Sequence, residues 1–163
     1  MSHRQRSLDS LKYAHSMTMS LLKDFPEASA CHLPSPTDNH LLWSVGHLAA
    51  TYGWMLSLVG KPAGVPENYM TLFGWGSKPS PDAKMYPNLS AVCEALESEY
   101  QSFMRAVVEM PEAQLSQPLV KDSSGFAKDT IELVDRAAWH EGWHSGQISS
   151  IRRALGLKGV MGL

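Results

Sequence analysis

The stretch Trp139-His140-Glu141-Gly142-Trp143-His144-Ser145-Gly146-Gln147 decides how this chain is read. An α-helix turns about 100° per residue, so side chains four apart differ by only about 40° around its axis. His140 and His144 therefore share one face, and two imidazoles at that spacing can ligate one ion without distorting the backbone. Arg136 and Gln147 lie near the same line, as do Leu133 and Ile151. Two core-edge histidines satisfied by hydrogen bonds would show the same spacing, so the pair alone does not decide. The helix that carries it runs from about Asp129 to Leu155. Asp129 followed by Glu132 reads as a capping-box variant, and Gly156 supplies the C-terminal stop.

A third ligand has to come from upstream. The nineteen residues after His144 contain no His, Asp, Glu or Cys. A second helix is expected from about Asp38 to Val59, after the capping-type residues Thr37 and Asp38. From Asn39 to Gly60 it holds no Asp, Glu, Lys or Arg, a length that could cross a bilayer. His40, Ser44, His47, Thr51, Tyr52 and Ser57 interrupt it, and no positive cluster flanks it. It reads as a buried helix of a bundle. His47 sits mid-segment on a line with Trp43, Thr51, Trp54 and Leu58, and a buried imidazole there needs a partner. Ligation to an ion shared with His140 and His144 would satisfy it. His40 lies on the same stripe but roughly 10 Å away along the axis, too far to share that ion. His15, on the apolar face of the first helix, is a secondary candidate.

Two further helices complete the pattern. The first runs from about Ser7 to Lys23, with Leu8, Leu11, His15, Thr18 and Leu22 on one stripe, and Phe25-Pro26 ends it. The third runs from about Leu89 to Met110, its apolar residues recurring at intervals of three and four, and Pro111 stops it. Between the second and third helices lies a connection from Lys61 to Asn88, rich in Pro and Gly and carrying Tyr69, Phe73, Trp75 and Tyr86. A loop of that length with those aromatics is expected to be ordered and packed over something. The expected fold is therefore all-α: one domain over residues 1–163, a four-helix bundle with a long crossover loop between helices 2 and 3.

Composition narrows the function classes. The formal charge of −2 offers no basic stripe for nucleic acid and no polybasic anchor for a membrane surface. Cys31 and Cys93 form no Cys-x-x-Cys pair and read as small apolar side chains in a reducing cytoplasm. Either cysteine as a fourth ligand would turn an open ion site into a closed, structural one. Trp43, Trp54, Trp139 and Trp143 read first as core packing, and Arg152 and Arg153 as a solvated helix end.

His-Glu-x-x-His is also the zincin protease signature, with the Glu as general base on activated water. Those enzymes usually take a third ligand from downstream, where this chain offers none. No strand is found that could align a peptide, which leaves proteolysis a distant alternative.

Leu42-Trp43-Ser44-Val45-Gly46-His47-Leu48, the His140/His144 pair with Ser145-Gly146-Gln147-Ile148, and Arg152-Arg153 before Leu155-Gly156 together resemble the DinB-like superfamily. These are damage-inducible or thiol-transferase type four-helix metalloproteins; the DNA-repair polymerase that shares the name is unrelated. The resemblance covers essentially the whole chain in helix order and crossover position. It implies one divalent transition metal held by His47, His140 and His144. Zinc and nickel come first, but iron and copper also suit imidazole. It further implies a thiol-dependent S-transferase or isomerase acting on a small-molecule substrate with a low-molecular-weight thiol. A metal-dependent hydrolase with Glu141 as base, and a non-catalytic binding bundle, are the alternatives. Trp43, Gln147 and Arg136 are the expected supporting groups of the pocket, and a homodimer is compatible with the resemblance.

Overall fold

The structure is a computed structural model and describes residues 2–159. Met1 and residues 160–163 of the expected domain lie outside the described residues. The described residues form five α-helices: α1 His3–Leu22, α2 Leu41–Leu58, α3 Tyr69–Phe73, α4 Leu89–Glu109 and α5 Thr130–Ala154. The four long ones make an all-α bundle, and α3 is a single turn-and-a-half inside the long connection between α2 and α4.

The pairs of residues that touch give the helix directions. His15 meets Glu141, Thr18 meets Ser145, and Leu21 meets Arg152, so α1 and α5 run parallel. Asn39 meets Gln147 and Tyr52 meets Glu141, so α2 runs against α5. Arg4 reaches Met110 and His15 reaches Glu97, which sets α4 against α1 and hence parallel to α2. Two parallel neighbours consecutive in the bundle require a connection the length of the bundle, and residues 59–88 provide it. α1 packs chiefly along α5, and α2 along α4.

Local sequence explains the ends. Asp129 accepts from the Glu132 backbone N–H, and Glu132 reaches back to the Lys128 N–H, one residue before the N-cap whose N–H a capping box would use. Gly156 takes φ +70° just past α5, the left-handed conformation that an L side chain resists. The start of α2 differs from expectation. Its cap is His40, whose Nδ1 accepts from the Trp43 N–H, and residues 37–39 stand outside the helix. The His40 Nε2–H then donates to the Ser80 carbonyl, tying the start of α2 to the crossover.

The core is continuous across the long helices and includes Leu11, Leu48, Met55, Leu96, Phe103, Leu133 and Ile148. α2 is buried almost all round, which is why it carries no charge. No helix among the described residues is long and apolar enough to cross a membrane. Arg152 departs from the expected solvated helix end: it is 3% exposed. Its guanidinium donates to the Leu21 and Lys158 carbonyls and pairs with Asp24, locking the C-terminal ends of α1 and α5 together.

Candidate metal centre

α2 and α5 bring His47, His140 and His144 together. One ligating nitrogen from each lies within 4.8 Å of the other two, and these three form the cluster able to hold an ion among the described residues. Neither Cys31 nor Cys93 belongs to it, nor does His15 or His40. The imidazole rings of His140 and His144 stand 4.7 Å apart, centroid to centroid, and His47 sits 5.2 and 5.0 Å from them.

The tautomers suit ligation. A carbonyl oxygen can only accept, so His47 must carry its proton on Nδ1, which donates to the Phe73 carbonyl at 2.7 Å. His144 likewise donates from Nδ1 to the Gln147 amide oxygen at 2.9 Å, and Asn39 donates to that same oxygen. Both rings are thereby left with a bare Nε2 lone pair, the arrangement in which an outer hydrogen bond orients a ligating imidazole. Burial, with the neighbouring His144 and His47 adding to it, lowers His140 to about 3. Burial and His47 lower His144 to about 4, while burial lowers His47 against an opposing bond to Phe73. Three neutral imidazoles with converging lone pairs are a donor set that fits one divalent transition ion.

The centre lies in the wall of a cavity of about 1170 Å³. Trp43, one of the three expected supporting groups, forms one side: its indole stacks on His47 at 4.7 Å and 7° between planes, and its Nε1–H donates to Ser77. Gln147 also lines the cavity. Arg136 does not. It is exposed and pairs with Glu132 a turn earlier.

Glu141 is placed on a different face. One residue beyond His140, it is rotated about 100° away and points between α1, α2 and α4. It is fully buried. One oxygen accepts from the Tyr52 hydroxyl and the other lies 2.7 Å from His15 Nδ1. The second nitrogen of His15 lies 2.9 Å from Glu97. A carboxyl group at each nitrogen favours the protonated form of His15. Burial pushes its pKa down, but the bonds and charges of Glu141 and Glu97 outweigh this and raise it. Glu141 thus meets Tyr52 and His15 on a face of α5 away from the three histidines.

Sequence reasoning missed the mouth of the cavity. Trp139 and Trp143, read as core, are 54% and 59% exposed, and Trp75 of the crossover is 97% exposed. All three line the opening. The signal was available in α5 itself, where Trp139 and Trp143 are four apart and so share a face beside that of the histidines. A smaller depression of about 350 Å³ near the start of α5 has acidic walls but no such donor cluster.

The comparisons with known proteins agree on the architecture. A family model described as DinB superfamily matches residues 10–148. The crystal structure of the conserved protein of a locus from Enterococcus faecalis superposes with a TM-score of 0.74 at 22% identity, covering 96% of this chain and 99% of that one. At that identity the likeness shows the fold. Among curated proteins, none matches.

Proposed function

The chain belongs to the DinB superfamily, and on that premise we propose that it is a metal-dependent enzyme of the thiol-transferase type. The observation that carries the reading is the three-histidine cluster opening onto a large cavity rather than being closed by a fourth protein donor. Structural zinc sites commonly have four protein ligands, whereas three are the pattern of a site that receives a reactant. When bound, a divalent ion, zinc or nickel first, supplies a charge that favours the thiolate form of a low-molecular-weight thiol at neutral pH.

The chain's own residues do the rest. Phe73 and Gln147, through their oxygens, hold His47 and His144 in the ligating tautomer. Trp43 shields His47 from water by stacking on it. The cavity walls hold the acceptor substrate. In the overall reaction a carbon–sulfur bond forms, a leaving group departs with its electron pair, and the thiol proton passes to water.

The placement of Glu141 favours this reading over hydrolysis. A hydrolase would want a carboxylate at the histidines, and Glu141 is committed to Tyr52 and His15 on another face. The test has two parts. Elemental analysis of protein purified without chelator or added metal should find about one transition ion per chain. Mass spectrometry should then detect a thioether product when thiol and electrophile are supplied together. Turnover of an ester or amide without thiol would replace this reading by the hydrolytic one.

A further inference from the structure

Every one of the chain's five tryptophans, Trp43, Trp54, Trp75, Trp139 and Trp143, lines the cavity. None of its lining residues is Asp, Glu, Lys or Arg. Tryptophan is the costliest side chain to leave in water, yet three of these indoles are half-exposed or more at the opening. Trp139 and Trp143 stand 5.5 Å apart with their rings tilted by 54°, and Phe126 meets both Trp54 and His140 edge-on. The walls are thus built of flat faces and ring edges, with the three imidazoles among them.

We propose that the acceptor substrate is an uncharged, planar aromatic molecule, held between the tryptophans of the cavity with its reacting atom toward His47, His140 and His144. The proposal rests on the reading of this cavity as a substrate site, and adds the substrate's class to it. Charge decides between ligand types. A carboxylate, phosphate or sulfonate lodged among the tryptophans, away from the ion, would lose water and find no cationic side chain to replace it, a penalty that disfavours anions in the aromatic part. A flat neutral ring loses little hydration and gains offset stacking and edge-to-face contacts from several indoles. A saturated molecule of the same size would gain the area but not the ring contacts.

The test is a titration of isotope-labelled protein followed through its five indole N–H signals, in zinc-loaded and in metal-stripped samples. The probes are 2-naphthalenemethanol, 2-naphthalenesulfonate, naphthyl-trimethylammonium and decahydronaphthalene-methanol. The naphthalenemethanol should shift most of the indole signals. It should bind at least 10-fold tighter than the saturated alcohol in both samples, than the sulfonate in the metal-stripped sample, and than the ammonium in the zinc-loaded one, where the ion's charge opposes the cation–π attraction of the indoles. Trp143→Ala should weaken it about 10-fold without changing zinc uptake. Equal or tighter binding of the saturated alcohol in either sample, of the sulfonate in the stripped one, or of the ammonium in the zinc-loaded one overturns the proposal.

Failure of the enzymatic reading looks different. If the naphthalenemethanol binds as described but zinc is not taken up and no thioether forms, the metal reading falls and the aromatic site stands. If thioether forms only from charged or aliphatic acceptors, the enzymatic reading stands and this proposal falls.

Discussion

The ring of Phe73 lies against the bare α-carbon of Gly46, so close that a β-carbon built there would stand 2.5 Å from it. The contact places the last residue of α3 on α2 one residue before His47. That is what brings the Phe73 carbonyl to His47 Nδ1. Gly46→Ala sets two effects against each other. Alanine in a helix interior gains about 1 kcal/mol over glycine. Overpacking against a fully buried ring costs about 1–3 kcal/mol and should win. The expected outcome is a lower melting temperature and a loss of zinc affinity of about 10-fold or more, since the carbonyl that orients His47 is displaced. Competition titration with a chelating dye reads the affinity. An unchanged affinity would mean that the carbonyl does not orient the ligand.

His144→Ala should abolish metal uptake while leaving the helical content intact. The core runs continuously through the long helices without using the three histidines as its centre. Circular dichroism of the variant and of stripped protein checks this. Global unfolding on metal removal would make the site structural and remove the basis for an open, reactive centre.

Glu141→Gln should act on stability before it acts on chemistry. It removes one of the two carboxyl groups that hold His15 and leaves the buried ring with Glu97 alone. Breaking a buried pair in this way costs about 3–5 kcal/mol. Urea unfolding at pH 7 measures it, and elemental analysis should still find the ion. Wild-type stability combined with lost turnover would instead make Glu141 catalytic.

The histidines predict opposite pH dependences. His140 and His144 are lowered to about 3 and about 4 in the fold, against about 6.5 when unfolded. The unfolded chain therefore binds more protons, and the metal-free protein loses stability as pH falls from about 6.5 toward about 4. His15 is raised, so its contribution is fully present below the unfolded value and is lost as pH rises through the folded one. Denaturant melts of stripped protein should show maximal stability between the two limbs. The His15→Gln variant should lose the alkaline limb and keep the acid one. Persistence of the alkaline limb in the variant would assign it to another group.

How much of this was legible in the sequence depended on whether a residue's role was set by its own helix. The His140/His144 spacing, the Asp129/Glu132 cap and the Gly156 stop are local, and each is read from a few neighbours. The uncharged run of α2 foretold its burial, and His47 within it the third member of the cluster. What was not legible depends on partners distant in the chain. Arg152 is buried because Leu21, Asp24 and Lys158 together satisfy its guanidinium. Glu141 is buried because Tyr52 and His15 arrive from two other helices. His40 took the cap of α2 because Ser80 accepted its other nitrogen, a competition that Thr37 and Asp38 could not reveal. The exposed tryptophans break the rule that large apolar residues go inside, and such a break marks a surface meant to be covered by something else.

The parallel pairing of α1 with α5 has a consequence for how the protein is made. α1 is synthesised well before its main partner α5, with α2, α3 and α4 in between. At ordinary elongation rates the apolar face of α1 waits on the order of ten seconds before α5 leaves the ribosome. During that wait Leu8, Leu11 and Leu21 are without their final cover, and His15 is without Glu141. Ribosome-bound chains halted before residue 130 should therefore recruit holdase chaperones and be cut readily by protease within α1, and chains released after residue 154 should not.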